Sequence, residues 1–527
     1  MLTNNTPSTP NENKRFQHYL LFTFLILSTA IFYYSYTSND LAAGFTSDDA
    51  IYLLLADLYS FSTTGTNLFY FKLSAESHFP PVYPMIMGLF GGDSTTINMA
   101  STITVTMLIL SILIYFRWIY TLTSSLHWTL MSGLLLILLP ANLIFAQELW
   151  SEFLFMIFLY GALLLNVNST LTQKYLLSSS LLVAIASLTR SIGIALIIAF
   201  IIFIIIRRTR HAIRYTLVCL VPFLIWNFTR DTNSSREGYI QIFADTLTSV
   251  SLDNILDTSI DKIATFYDSF LWLFSSIDTG HVHASFVNIS VTATLVLVVI
   301  GFVARIKRLE MDALFLVTYL AIIFVWPFDN VYFVSRFLYP LIPLFLYYSY
   351  LGISGIFHDQ TWHTRTQVLF IAALFISILP SSTQYISRGY SDVQQDLSPF
   401  RRDRQWLMAD TKTYGLGAIQ NSKFIITSLQ KVRGLIPEHE CIFAIQAPIV
   451  MLYTKRITGI LPPPQTSNEE FRNQFRECKY SLAMPVIDSQ GIYPEFYPLQ
   501  RLSADEYQIT ARFLDQHSEA EILLVKH

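Results

Sequence analysis

Asp48 and Asp49 stand side by side just past the first long apolar run of the chain. A carboxylate held at a membrane surface can act as general base toward an acceptor hydroxyl. The pair also suits a helix start, because Thr46, Ser47 and Asp48 are good caps and acids favour the first turn. The two roles are compatible, since a capped helix start fixes a carboxylate's direction. Farther along the same loop comes Ser77-His78-Phe79-Pro80-Pro81-Val82-Tyr83-Pro84. Proline is tolerated at the first helical position. The stretch therefore predicts a short apolar helix over Met85 to Phe90, ended by Gly91-Gly92. A lone histidine is usually a solvated loop residue. Its place on the loop of the acid pair makes His78, with Tyr83, a substrate-site candidate.

More polar residues mark the ends of other apolar runs. Gln147, Glu148 and Glu152 open one, Arg190 interrupts another, and Asp329 and Arg336 flank the start of a third. Each arginine taken alone could snorkel to the interface. Together with the acids, Arg336 and Arg190 are candidates for holding phosphate, because guanidinium is permanently charged and its fork matches phosphate oxygens. Glu148 and Glu152 join the substrate-site candidates. Such a set suits transfer away from a phosphate leaving group. Aspartate would deprotonate the acceptor, and arginine would offset the charge growing on the phosphate.

The elements that carry these residues are apolar. The chain has 527 residues, 53% hydrophobic and only 13% charged, and its mean hydropathy is +0.45. Soluble domains are nearer about a quarter charged. Apolar runs of roughly the length that crosses a bilayer recur, so this is a polytopic α-helical membrane protein with about eleven transmembrane helices. The expected spans are 17–36, 97–117, 127–146, 149–167, 174–189, 191–206, 211–229, 285–304, 311–327, 335–353 and 367–384. Lys14, Arg15, the cluster at Arg207, Arg208, Arg210 and Arg214, and the group Arg305, Lys307 and Arg308 share one side if the N-terminus is cytoplasmic. Residues 174–206 could form one long helix. That would put Arg190 mid-membrane, at high cost, and the Arg207 cluster outside. A hairpin avoids both.

Residues 1–384 thus form a transmembrane domain with two outer loops, 37–96 and 230–284. Helical spacing at Ile51, Leu54, Leu55 and Leu58, and again from Ile255 to Phe266, suggests helices lying along the membrane surface. Residues 385–527 change composition and read as a soluble outer α/β domain, with β-like runs at Ser422–Thr427 and Cys441–Ile445. Cys219 falls within a span and reads as a packing residue. Cys441 and Cys478 both fall in the outer domain, as a bridge or as two buried thiols.

The motifs resemble the integral-membrane glycosyltransferases of the C-type fold, in the branch of protein O-mannosyltransferases and the aminoarabinose lipid A transferase. Four stretches carry the resemblance over residues 1–350: Gly44-Phe45-Thr46-Ser47-Asp48-Asp49-Ala50-Ile51-Tyr52, the His78 to Pro84 turn, Ser151-Glu152-Phe153-Leu154-Phe155 with Leu188-Thr189-Arg190, and Arg336 to Pro343. In the tail, Leu452-Tyr453-Thr454-Lys455-Arg456 resembles a Tyr-Thr-Gly-Arg-like stretch. The resemblance implies a sugar donor on polyprenyl phosphate, used outside the cytoplasm with inversion, and a catalytic base at Asp48. Asp49 stands where the family usually has glutamate. The resemblance implies no cofactor. His78, His281 and His283 are too scattered to define a metal site, and dependence on a divalent metal stays open.

The expected partners are the polyprenyl-phosphate sugar donor, membrane lipid and an acceptor that is a glycan, a lipid or a protein; nucleic acid is not among them. The compositional style suits a bacterial inner membrane, with the C-terminal domain periplasmic. A transporter or flippase is the alternative, and it predicts polar groups near the midplane and paired halves. A membrane scaffold leaves the acid pair unexplained.

Overall fold

The computed structural model describes residues 10–37, 47–61, 79–167, 172–229, 255–275, 281–326, 330–357, 359–394, 422–445, 447–462, 464–483, 496–514 and 521–527. Every expected span falls on a helix. In chain order the helices of the apolar part are α1 (Pro10–Thr37), α2 (Ser47–Ala56), α3 (Val82–Leu89), α4 (Ile97–Thr123), α5 (Leu126–Leu138), α6 (Pro140–Phe145), α7 (Glu152–Leu165), α8 (Gln173–Ser187), α9 (Ile194–Ile206) and α10 (Ala212–Thr229). There follow α11 (Ile255–Phe274), α12 (His281–Ile306), α13 (Met311–Val325), α14 (Val331–Leu338), α15 (Ile342–Ile356) and α16 (Gln360–Gln394). Among the described residues, five helical stretches are long and apolar enough to cross a membrane by length and composition, and five more are shorter and apolar. The chain is a polytopic helical membrane protein with a small sheet domain at its C-terminus.

Local chemistry explains the breaks. The span expected over 127–146 is divided at Leu139, because Pro140 lacks an N–H and takes the first position of α6. Residues 174–206 form the hairpin: α8 and α9 pack together, and Arg190 stands in the turn between them with extended backbone. Helices α12 and α15 meet at backbone distance, where a Cβ on Gly301 would lie 2.0 Å from Tyr348 O and one on Gly352 would lie 2.4 Å from Leu297 O. Only glycine permits that approach.

Helix α3 starts directly after Pro80-Pro81, and Gly91 beyond it takes φ +79°, as the turn requires. Helix α2 corrects an expectation. It does not lie on a surface, because Ile51, Leu53, Leu54 and Leu55 are all buried. Helix α3 covers one side of it and a helix of the C-terminal domain another. Helix α11 does turn Ile260 and Ile263 outward, while Lys262, Ser269 and Phe270 face the protein.

The C-terminal domain contains α17 (Ser422–Leu435), α18 (Ala447–Thr454) and α19 (Asn468–Phe475) around a five-stranded sheet. Its strands are β1 (Ile442–Ala444), β2 (Thr458–Ile460), β3 (Tyr480–Ala483), β4 (Gln508–Leu514) and β5 (Glu521–Lys526), in the order β2-β1-β3-β5-β4. Strand β1 runs parallel to β2 and β3, and β5 antiparallel to β3 and β4. Residues 441–445 form a strand as expected, but 422–427 do not. That stretch opens α17, which buries Ile425, Ile426, Leu429 and Val432 at helical spacing. Cys441 and Cys478 are bridged, with their Cα atoms 5.0 Å apart. Cys219 is buried in α10. Helix α16 continues past residue 384, where the composition changes.

Candidate active site

Four charged side chains from four distant stretches meet at one end of the bundle. Asp48, in the first turn of α2, accepts a hydrogen bond at Oδ2 from Arg336 Nη1 at 2.5 Å. Arg336 lies in the last turn of α14, and its Nε donates to Glu152, the first residue of α7. Glu152 has no solvent exposure, and the same carboxylate pairs with Arg190. Aromatic rings brace both guanidinium groups. Arg336 lies 4.1 Å from the centroid of the Trp150 ring and Arg190 lies 5.4 Å from that of Phe337.

The charges balance two against two, but the four groups are not equally accessible. Glu152 is sealed, whereas the Asp48 side chain keeps 32% of its exposure. Among the described residues, Arg336 Nη2 and the Nε and Nη2 of Arg190 take no further hydrogen bond. A cavity of about 560 Å³ opens beside these groups. Asp48, Arg190 and Arg336 are its charged lining, and Ile198, Phe223, Trp226, Ile323, Trp326 and Phe333 give it apolar and aromatic walls. Permanent cations with spare donors, a reachable carboxylate and an apolar wall suit a ligand with an anionic head and a hydrocarbon body.

The other sequence candidates separate from this centre. Asp49 is fully buried and does not line the cavity. It points about 100° away around the helix, toward Tyr453 of α18, whose phenol is raised by burial and then by the charge of Asp49. Tyr83 is buried with its hydroxyl 3.1 Å from Thr104 Oγ1. It supports the cavity at one remove, because its ring meets that of Tyr52 edge-on at 4.6 Å. Glu148 lies away from the cavity and accepts from the Tyr332 hydroxyl at 3.1 and 3.3 Å. His78 lies outside the described residues. Among the described residues, no group of three or more histidine, cysteine, aspartate or glutamate side chains could hold a metal ion.

Of the lining residues that the sequence reading did not single out, Tyr52 and Trp326 are instructive. Tyr52, its hydroxyl 3.1 Å from Ser151 Oγ, lines the cavity four residues after Asp48. That spacing puts both on one face of α2 and could have found it. Trp326 closes α13, and an aromatic at a helix end ordinarily reads as an interface anchor.

No family model matches the sequence, and no curated protein matches it. Solved structures do overlap its fold. An oligosaccharyltransferase of Archaeoglobus fulgidus, tethered to an acceptor peptide, aligns at TM-score 0.49 and 11% identity, over 89% of this chain and 69% of that one. ArnT of Cupriavidus metallidurans in the apo state aligns at TM-score 0.49 and 12% identity, over 95% and 97% of the two chains. The same protein bound to undecaprenyl phosphate gives 0.44 and 11%, over 96% and 97%.

Proposed function

We propose that the protein transfers a sugar from a polyprenyl-phosphate donor to an acceptor hydroxyl on the outer face of the membrane. The observation that carries this reading is the Asp48–Arg336 contact at the polar end of an apolar cavity. In the proposed reaction Asp48 takes the proton of the acceptor hydroxyl. The acceptor oxygen attacks the anomeric carbon and inverts it. The bond from that carbon to the phosphate oxygen breaks, and its electron pair leaves with the lipid phosphate. Arg336 and Arg190 hold that phosphate and offset its growing charge. The phosphate competes with Asp48 for Arg336, so donor binding releases the carboxylate for its role as base.

Support comes from exposure and chemistry. Asp48 is the accessible acid of the cluster, and the arginines keep donors to spare. The ArnT structure binds undecaprenyl phosphate, a ligand of the chemistry this cavity suits. Mass spectrometry of cell-envelope glycans, with and without the protein, tests the reading. A modification that disappears with the protein and with Asp48→Asn is expected. An unchanged glycan profile in both strains would sink it.

A further inference from the structure

Helix α18 is buried along its whole length and packs against α2, the helix that carries Asp48. It ends at Lys455, whose N–H donates to Met451 O at 2.9 Å and whose φ is +52°. Left-handed backbone just past a helix favours glycine. A lysine there strains the chain, and its side-chain bonds offset the strain. Lys455 Nζ crosses to the first outer loop and donates to Ser94 O at 2.9 Å and Ser94 Oγ at 3.0 Å. Ser94 in turn donates from its N–H at 2.9 Å and its hydroxyl at 2.7 Å to the two carboxylate oxygens of Asp57. Asp57 directly follows the last residue of α2. A continuous chain of hydrogen bonds therefore runs from the outer domain to one end of the helix whose other end bears Asp48.

This junction is partly shielded from water. Burial lowers the Lys455 ammonium below its ordinary value, with the Asp57 charge acting against it. Burial likewise raises the Asp57 carboxyl, against the Ser94 bonds and the Lys455 charge.

We propose that Lys455 is a positioning residue, which clamps α2 through Ser94 and Asp57 and so holds Asp48 at reacting distance. This rests on the reading of Asp48 as base. Helix α2 is about 15 Å long, so a shift at its pinned end carries to the carboxylate. A misplacement of about 1 Å can cost roughly 100-fold in rate.

The test uses the full-length protein and the variants Lys455→Gly, Lys455→Arg and Asp48→Asn. Lys455→Gly removes the clamp and relieves the backbone, so its melting temperature should hold or rise. Its affinity for undecaprenyl phosphate should stay within about twofold of wild type, because Arg336 and Arg190 are untouched. The envelope glycan product per molecule of enzyme should fall roughly 10- to 100-fold. Amide exchange across Ser47–Tyr59 should accelerate, and Lys455→Arg should recover most of the product. Wild-type product and exchange in Lys455→Gly, beside an inactive Asp48→Asn, would overturn the clamp and leave the base reading standing. Full product from Asp48→Asn would overturn both. A loss in Lys455→Gly that tracks a lower melting temperature, or that Lys455→Arg does not restore, reduces Lys455 to a structural residue and refutes the proposal.

Discussion

Among the described residues, an arginine of low exposure meets carboxylates at Arg305 and again at Arg336 with Arg190, and the two clusters are built differently. On the side that the charge rule makes cytoplasmic, Arg305 donates from Nε and Nη2 to the two oxygens of Asp312 at 3.1 and 2.5 Å. Its Nη1 faces Glu310 at 4.0 Å, and the Tyr348 hydroxyl adds a bond to Asp312 at 2.9 Å. The fork is filled. At the other cluster one carboxylate, Glu152, serves two arginines, which keep donors in reserve beside a cavity. A bidentate pair away from the cavity makes a brace, whereas a shared carboxylate beside a cavity leaves arginines that can take a ligand.

The sharpest way to break this contrast is at Asp48. Asp48→Asn keeps size and capping but cannot accept the proton, so transfer should slow by roughly two to four orders of magnitude. Protein level and melting temperature should hold. Radiolabelled transfer in membranes, with protein quantified alongside, measures this, and a well-expressed variant of full activity removes Asp48 as base.

Arg336→Lys and Arg305→Lys form a matched pair. Each keeps the charge and loses the fork. At Arg336 the loss should appear as donor affinity reduced by about tenfold, and at Arg305 as stability reduced by about 1–3 kcal/mol with the folded fraction fully active. Thermal melts and donor titrations on both variants decide it; swapped outcomes would invert the assignment of brace and site.

Asp49→Asn should do less than Asp48→Asn, since its carboxylate faces α18 and not the cavity. If it were the inactive variant, the base would be reassigned within the pair. The smallest effect concerns orientation. A reporter fused after Ser387 should be active only when exported, and peptide mapping without reductant should recover Cys441 linked to Cys478. Cytoplasmic activity of the reporter would place the Asp48–Arg336 cluster on the wrong face.

The sequence made the helices legible because apolar runs are long and charges within them are costly. Arg190 and Arg336 were conspicuous for the same reason. What stayed hidden were relations between distant stretches. Nothing near Glu152 announces that Arg190 and Arg336 converge on it. Helix α2 looked like a surface helix because its cover, α18, lies far along the chain. Ser422–Thr427 looked like a strand because Ile425-Ile426 is locally β-prone. Only the wider window, with Leu429 and Val432, shows the helical face.

The close contact of α12 and α15 at Gly301 and Gly352 divides the labour of movement. Helix α14, with Arg336, continues through a single tight turn into α15 and thus into that backbone-to-backbone seam. The helix that carries its guanidinium is anchored there by backbone packing. Asp48 rides on a short helix held by hydrogen bonds that can be broken and remade. The contact is thus held from two sides by different means, backbone packing behind the arginine and side-chain hydrogen bonds behind the aspartate.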